Sequence, residues 1–339
     1  MVNIGVIGYG YWGPNMVRNF SEIPGSRVVS VSDLRQDRLA LAKSRYPALK
    51  TSTDFKDLIA DPEVNAVVIA TPVSTHFDLA MQSFKAGKHV LIEKPMTATV
   101  EEGKKLVDMA RKMDRVLLVD HTFVYMGAVR KIRELIQKGE LGQIRYFDST
   151  RVNLGLFQHD VNVMWDLAVH DLSILDYVLM ADPVAISATG MSHVNNSPEN
   201  IAFMTLFFDS PLVAHIGVNW LSPVKVRVTM IGGSKKMVVF DDIQPSEKIK
   251  VYDSGIIVDD RPESVYDTLI KYRTGDMWAP KFDTTEALKT EALHFIDCIE
   301  NGHAPQTGGE MGLRIVKILE AASRSLKNRG KLEPLDLKM

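Results

Sequence analysis

The stretch VNIGVIGYGYWG, running from Val2 to Gly13, decides the fold of the first part of this chain. Val2 to Ile7 is a short apolar run rich in β-branched residues, the signature of a strand buried on both faces. It leads directly into Gly8, Gly10 and Gly13, spaced G-x-G-x-x-G, and a helical pattern follows from Tyr11 to Phe20. A second strand pattern spans Arg27 to Ser32. Each glycine has a separate task in such a turn. Gly8 permits the tight reversal, Gly10 lets the backbone approach a pyrophosphate, and Gly13 lets the helix pack close to the strand. The helix start then turns unpaired N–H groups and a positive dipole end toward the phosphates. The six-residue motif alone is weak, and a glycine turn in another α/β fold is the competing reading. Strand, turn, helix and second strand in sequence make it a dinucleotide-binding loop that includes Tyr11 and Trp12.

Asp33 closes the second strand, about 20 residues beyond the last glycine, where an acidic side chain accepts from ribose hydroxyls and repels a 2′-phosphate. The expected cofactor is therefore NAD rather than NADP. A turn or cap role for Asp33 competes with this, and Arg35 and Arg38 nearby could hold a 2′-phosphate.

Strand and helix signals continue to alternate up to residue 120, with helices at Asp37–Arg45, Asp54–Ala60 (capped by Ser52 or Thr53), Thr75–Ala86 and Val100–Met113. The intervening strands are Ala66–Ala70, His89–Glu93 and Val116–Val119. This order implies βαβ units around a doubly wound parallel sheet. Beyond it the pattern changes. Helices at Ala128–Lys138 and Asp166–Val178 flank a long strand at Ile144–Leu154, and six strand signals follow between Val184 and Tyr252 without helices between them. Those strands are expected to pair antiparallel. Two helices, Thr285–Glu300 and Met311–Asn328, close the chain. The expected organisation is a Rossmann domain at 1–120 and an α+β domain with an open, mostly antiparallel sheet at 121–339, the last helices able to pack back on the first domain. One bare sheet face would suit a homodimer or homotetramer.

The 339 residues carry 40 basic and 42 acidic side chains, a net charge of −2. That balance gives no electrostatic case for nucleic acid. No apolar run reaches the length of a membrane span, and the first residues read as a strand rather than a leader, so a cytoplasmic protein is expected. Cys298 is the only cysteine, which excludes an intrachain disulfide.

Ligands in an open parallel sheet sit beyond the carboxyl ends of the strands, and two of those ends carry proline: Thr71-Pro72 and Lys94-Pro95. Proline holds its predecessor extended, which carries Thr71 and Lys94 onward in the strand direction. A lysine there can stabilise a developing alkoxide, although by spacing alone a surface salt bridge is an equal reading. In the second domain, Asp166 and His170 stand at i and i+4 on a helix whose other positions are apolar, the spacing in which a carboxylate can orient an imidazole as a general base. A surface ion pair or half of a metal site would use the same spacing. No third and fourth ligands are evident, so no metal is expected.

GYGYWG at Gly8–Gly13, ATPVSTH at Ala70–His76, EKP at Glu93–Pro95 and D-x-x-x-H at Asp166–His170 together resemble the Gfo/Idh/MocA oxidoreductases, and the likeness covers essentially the whole chain. That resemblance implies that Lys94 contacts the reacting hydroxyl, that His170 is the acid–base residue with Asp166 as its partner, and that Glu93 and Pro95 support Lys94. It implies cofactor contacts from Thr71, Pro72, His76, Glu93 and Lys94. Substrate contacts are expected from Lys94, His170, His121, Tyr125, Asn153, Gln158 and Trp165. Arg151, with Lys225, Arg227 and Lys281, could meet a diphosphate. His215 and His294, in apolar runs, are expected in the core, and Asp171 is expected to be structural. The segment from Asn153 to Leu175 is similar to the branch acting at C3 of UDP-N-acetylated sugars. A free-sugar or inositol dehydrogenase is the enzymatic alternative, and a non-catalytic dinucleotide-binding regulator the alternative from another class.

Overall fold

The computed structural model describes residues 1–155, 161–194, 197–258 and 270–338. The chain divides into two compact units: Met1–Met126 with Thr285–Glu320 and Leu337–Met339, and Gly127–Thr284 with Ala321–Asp336. The two closing helices, α8 (Ala287–Asn301) and most of α9 (Gly309–Lys327), thus belong with the first unit although they come last in the sequence.

The first unit is built on six strands: β1 (Val2–Ile7), β2 (Ser26–Ser32), β3 (Lys50–Ser52), β4 (Ala66–Ile69), β5 (His89–Glu93) and β6 (Leu117–Asp120). Their spatial order is β3-β2-β1-β4-β5-β6, with every neighbouring pair parallel. The order reverses between β1 and β4, and that reversal opens the crevice in which such sheets bind ligands. The connecting helices are α1 (Gly13–Glu22), α2 (Gln36–Arg45), α3 (Phe55–Ala60), α4 (His76–Lys85) and α5 (Val100–Lys112). Sequence periodicity misses β3, a three-residue polar edge strand with no apolar pattern to betray it. The cap of α3 is Asp54, whose carboxylate accepts the Lys56 N–H at 2.9 Å, in place of the expected Ser52 or Thr53. Thr99 and Glu102 form a reciprocal capping box at the start of α5.

The apolar stripe of α8 completes the core of this unit. Leu288, Ala292, Phe295 and Ile296 fall at helical spacing and pack with Phe20 of α1, the rings of Phe20 and Phe295 standing edge-on at 6.1 Å. Burying side chains of that size contributes about 1.5–3 kcal/mol each.

The second unit holds α6 (Gly127–Gln137), β7 (Ile144–Leu154), a π-helical turn at Met164–Ala168, and α7 (Val169–Leu179). After these come β8 (Pro183–Met191), β9 (Ile201–Phe208), β10 (Val213–Asn219), β11 (Leu221–Gly233), β12 (Met237–Asp241) and β13 (Ile249–Tyr252). A separate hairpin, β14 (Gly255–Val258) with β15 (Ile270–Arg273), and two short strands, β16 (Met277–Trp278) and β17 (Glu333–Pro334), complete it. The main sheet has nine strands ordered β16-β13-β12-β11-β7-β10-β9-β8-β17. All its pairs are antiparallel except β7 with β10. The sheet is therefore mixed.

Alternation along β9 and β10 turns Ala202, Met204, Leu206, Ala214, Ile216 and Val218 inward. The opposite face leaves Phe203 and Phe207 46% and 40% exposed. His215, expected in the core, lies on this outer face with its ring stacked on Phe203 at 6.3 Å. The register of β10 is the reason, because His215 is out of phase with Ala214 and Ile216.

A buried ion pair joins β7 to α7. Arg151 donates from Nε and from a terminal nitrogen to the Asp171 carboxylate at 2.8 and 3.1 Å, and the Ser149 hydroxyl donates to the same carboxylate at 2.8 Å. Asp171→Ala removes the carboxylate paired with the buried Arg151 guanidinium and is expected to destabilise the protein by about 3–5 kcal/mol, read from chemical denaturation.

Candidate functional site

The loop between β1 and α1 has the shape a pyrophosphate requires. Gly8 adopts φ +96°, and a Cβ there would stand 2.5 Å from the Ala70 carbonyl oxygen. A Cβ on Gly13 would lie 2.1 Å from the Gly8 carbonyl oxygen. Both glycines are thus demanded by the protein's own packing. Gly10 is different, because a Cβ there would meet no atom within 4 Å. Its glycine leaves room above the loop that the protein itself does not fill, the space through which a phosphate reaches the backbone.

The start of α1 carries no side-chain cap; Pro14 has no N–H and the Asn15 N–H bonds the Trp12 carbonyl oxygen at 2.9 Å, so the anion's donors come from the loop up to Gly13. Tyr11 is exposed and Trp12 partly so beside them, their rings edge-on at 5.7 Å. Asp33 accepts the Tyr9 N–H at 2.6 Å through one oxygen and the Arg35 N–H at 2.9 Å through the other. These bonds hold its carboxylate at the end of β2 beside the loop. The Arg35 guanidinium is engaged by Asp37 at 2.7 Å. The residues present fit a dinucleotide.

At the end of β4, the Thr71 and Thr75 hydroxyls are 2.7 Å apart. His76 is buried, with Nδ1 3.0 Å from the Pro95 carbonyl oxygen and Nε2 2.8 Å from that of Thr71. The ring of His76, expected at the cofactor, thus lies between the two proline-marked strand ends. Pro72 precedes a 3-10 turn that leads into α4.

Lys94 follows β5 and is half-buried, while Glu93 and Pro95 on either side are buried. The Lys94 N–H donates to Glu93 Oε2 at 3.2 Å. Glu93 pairs in register with Asp120 at the end of β6. His121 follows at once, fully buried, and neither ring nitrogen has a hydrogen-bond partner among the described residues. Burial and then the charge of Lys94 lower its pKa to about 3, so the imidazole is neutral. Tyr125 is buried and its hydroxyl lies 2.9 Å from that of Thr307. It lines the interior rather than a substrate surface.

In the second unit, the segment around Asp166 is not the regular α-helix that the spacing suggests. Met164–Ala168 is a π turn, and α7 begins only at Val169. Residues four apart across a π turn do not align as they do in an α-helix. From Val163 to Leu175, only Asp166 and His170 are not fully buried. Two polar groups are thus presented by an otherwise sealed helix. Asp166 Oδ2 accepts the Trp220 indole N–H at 3.0 Å.

Trp165 is buried with its indole N–H on the Ser323 hydroxyl at 2.9 Å, so its polar atom serves the protein itself. Arg151, expected to meet a diphosphate, pairs with Asp171 in the interior. Arg227 pairs with Asp242 at 3.2 Å. Asn153 is half-buried near the end of β7, and Gln158 lies outside the described residues.

Sequence reasoning overlooks Asp120 and Glu291. Both carried a signal. Asp120 ends a strand beside the one that supplies Lys94, and Glu291 occupies a core position of the α8 stripe, between Leu288 and Phe295. Among the described residues no cluster of side chains could hold a metal ion, and no helix is long and apolar enough to cross a membrane.

Two family models match the chain. The oxidoreductase family with an NAD-binding Rossmann fold, GFO/IDH/MocA, matches residues 2–121, and the GFO/IDH/MocA C-terminal domain matches residues 129–239. The chain is 24% identical over 339 residues to myo-inositol 2-dehydrogenase of Thermotoga maritima, covering 97% of each protein. It is 33% identical over 206 residues to UDP-N-acetylglucosamine 3-dehydrogenase of Acidithiobacillus ferrooxidans, covering 60% of this chain and 62% of that one. Among solved structures, levoglucosan dehydrogenase in complex with NADH superposes with a TM-score of 0.82 at 20% identity, covering 99% of both chains.

Gly13→Ala forces a methyl against the Gly8 carbonyl oxygen and is expected to weaken dinucleotide binding by at least ~10-fold, or about 1.4 kcal/mol, in a fluorescence titration. Gly10→Ala meets no protein atom, so it is expected to weaken binding while leaving the melting temperature close to that of the wild type.

Proposed function

The chain belongs to the GFO/IDH/MocA oxidoreductases, and on that premise we propose that it transfers hydride between a sugar or cyclic-polyol secondary hydroxyl and NAD. The observation that carries this reading is the loop at Gly8–Gly13, built with open space over Gly10 and an uncapped helix start, in the same unit as a half-buried lysine at the end of β5.

When bound, NAD supplies a hydride acceptor at C4 of the nicotinamide. The chain's own residues handle the binding and the proton. Backbone N–H groups at the start of α1 bind the phosphates, and the Asp33 carboxylate accepts from the ribose hydroxyls. Lys94 donates to the reacting oxygen and stabilises negative charge on it as its proton leaves. His170 takes that proton, and the carbon bearing the oxygen becomes a carbonyl. Asp166, held by the Trp220 indole, is the partner of His170 as a positioning residue. Asp33 also disfavours the 2′-phosphate of NADP through charge repulsion.

The substrate we favour is a UDP-N-acetylated hexose oxidised at C3. The likeness of Asn153–Leu175 to that branch supports it, as does the 33% identity to the Acidithiobacillus enzyme. An inositol is the second reading, favoured by a relative named for that substrate whose match extends over 97% of this chain. The burial of Arg151 removes one of the cations expected at a diphosphate. We further propose that the outer face of the nine-stranded sheet, with Phe203 and Phe207, pairs with a second copy of the chain.

NADH formation with a panel of UDP-N-acetylhexoses, free sugars and inositols decides among the substrates, and no turnover with any of them would leave the regulator reading standing. Lys94→Ala and His170→Ala are each expected to lower kcat by about 10²–10⁴-fold with NAD binding retained. Full activity in both variants would overturn the assignment. Tighter binding of NADP than of NAD would overturn the role given to Asp33.

A further inference from the structure

Three carboxyl groups meet inside the first unit. Glu93 ends β5, Asp120 ends β6 in register with it, and Glu291 projects from α8; their residues are 5%, 3% and 0% exposed. Asp120 lies within hydrogen-bonding reach of both Glu93 and Glu291. One oxygen of Asp120 accepts the Thr122 N–H at 3.2 Å and also the Thr122 hydroxyl. That hydroxyl lies against Glu291 as well, but its single proton already goes to Asp120. Glu93 Oε1 and both oxygens of Glu291 find no donor among the described residues.

Ionised carboxylates only accept hydrogen bonds, so contacts among three of them require protons between them. Two protons satisfy the arrangement. One sits on Glu93 and one on Glu291, and each is donated to Asp120. The charges around the cluster agree with this count. Burial first, then the neighbouring Asp120, push both glutamates well above the usual carboxylate range. The charge of Lys94 acts on Glu93, and that of Glu291 on Tyr125; His121 follows Asp120, and on α8 His294 stands 5.7 Å from the Tyr125 ring with Cys298 beside it. His121 is neutral, burial raises the Tyr125 hydroxyl, and burial raises the Cys298 thiol to about 11. Among the groups whose charge acts on the two glutamates, that leaves one shared anion and the Lys94 ammonium.

We propose that Glu93, Asp120 and Glu291 form a carboxyl triad holding two protons and one negative charge, and that this triad positions Lys94. The inference rests on the reading of Lys94 as the group that contacts the reacting hydroxyl. Glu93 fixes the Lys94 backbone by accepting its N–H. The single charge gives the ammonium a counter-ion behind it without drawing it inward, as three anions would. Loss of a triad proton at high pH adds a second negative charge and pulls Lys94 away from the substrate. The triad thereby sets an alkaline limit on turnover that belongs neither to His170 nor to Lys94 itself.

Infrared spectroscopy of the wild-type protein in D₂O at about pH 8, where ordinary carboxylates are ionised, tests the protonation directly. Two carboxylic-acid C=O bands are expected, one lost in Glu93→Gln and one in Glu291→Gln. Their absence from the wild type would overturn the proposal. The glutamates' protons are bound in the folded state and released on unfolding, so their stabilisation is complete in acid and lost as pH rises. Thermal stability of Glu291→Gln should accordingly fall less steeply with rising pH than that of the wild type. For turnover, Glu291→Gln should recover most of what Glu291→Ala loses and shift the alkaline limb upward. Asp120→Asn should lower kcat at least tenfold with NAD affinity retained. Equal loss in Glu291→Gln and Asp120→Asn would overturn the positioning role. Full activity in Lys94→Ala would refute the reading of Lys94, while the infrared bands would still report on the triad.

Discussion

Helix α1 can begin where it does only because no side chain stands between Gly13 and the Gly8 carbonyl oxygen, where a Cβ would lie 2.1 Å away. That close approach sets the direction in which the chain leaves β1, and with it the position of the helix start. It also explains why the start of α1 carries no capping side chain. The backbone itself makes the turn, with the Asn15 N–H on the Trp12 carbonyl oxygen, and leaves the loop up to Gly13 to meet a ligand. The Asp33 carboxylate then ties the loop to the end of β2 through the Tyr9 N–H. A helix end, a strand end and a space above Gly10 follow from one steric condition.

The carboxyl ends of the remaining strands are organised by register. Parallel pairing of β5 with β6 sets Glu93 beside Asp120, and helix α8 closes over them with Glu291. His76 lies between the two proline-marked loops, its ring nitrogens 3.0 and 2.8 Å from the Pro95 and Thr71 carbonyl oxygens. Polar groups this deeply buried must satisfy one another or hold protons, because water is not available to them. The half-buried lysine at the edge of this cluster therefore has a surrounding fixed by sheet geometry.

The second unit solves a different problem. Its long strands must bury one face, and the alternation along β9 and β10 does so cleanly. The Arg151–Asp171 pair then locks α7 to β7. The segment from Val163 to Leu175, the π turn and the start of α7, buries every residue except Asp166 and His170, which are half-buried. A sealed helix with two accessible polar groups is a stronger pointer to chemistry than their spacing in the sequence.

Local patterns determined a great deal about this chain. The glycine spacing, the β-branched runs, the helical periodicities and the prolines after Thr71 and Lys94 each act over a few residues, so they are legible without a partner. They establish the parallel sheet, the phosphate loop and the strand end bearing Lys94. Tertiary structure decided the rest, because burial and pairing depend on residues far apart in sequence. The polar strand β3 has no pattern of its own, and β10 runs parallel to β7 because of where the sheet placed it. Arg151, Trp165 and Tyr125 look like ligand contacts in sequence, and only the tertiary structure gives them Asp171, Ser323 and Thr307 as neighbours. Glu291 stands 171 positions after Asp120 (291 − 120), and only the return of α8 to the first unit brings their carboxyls together.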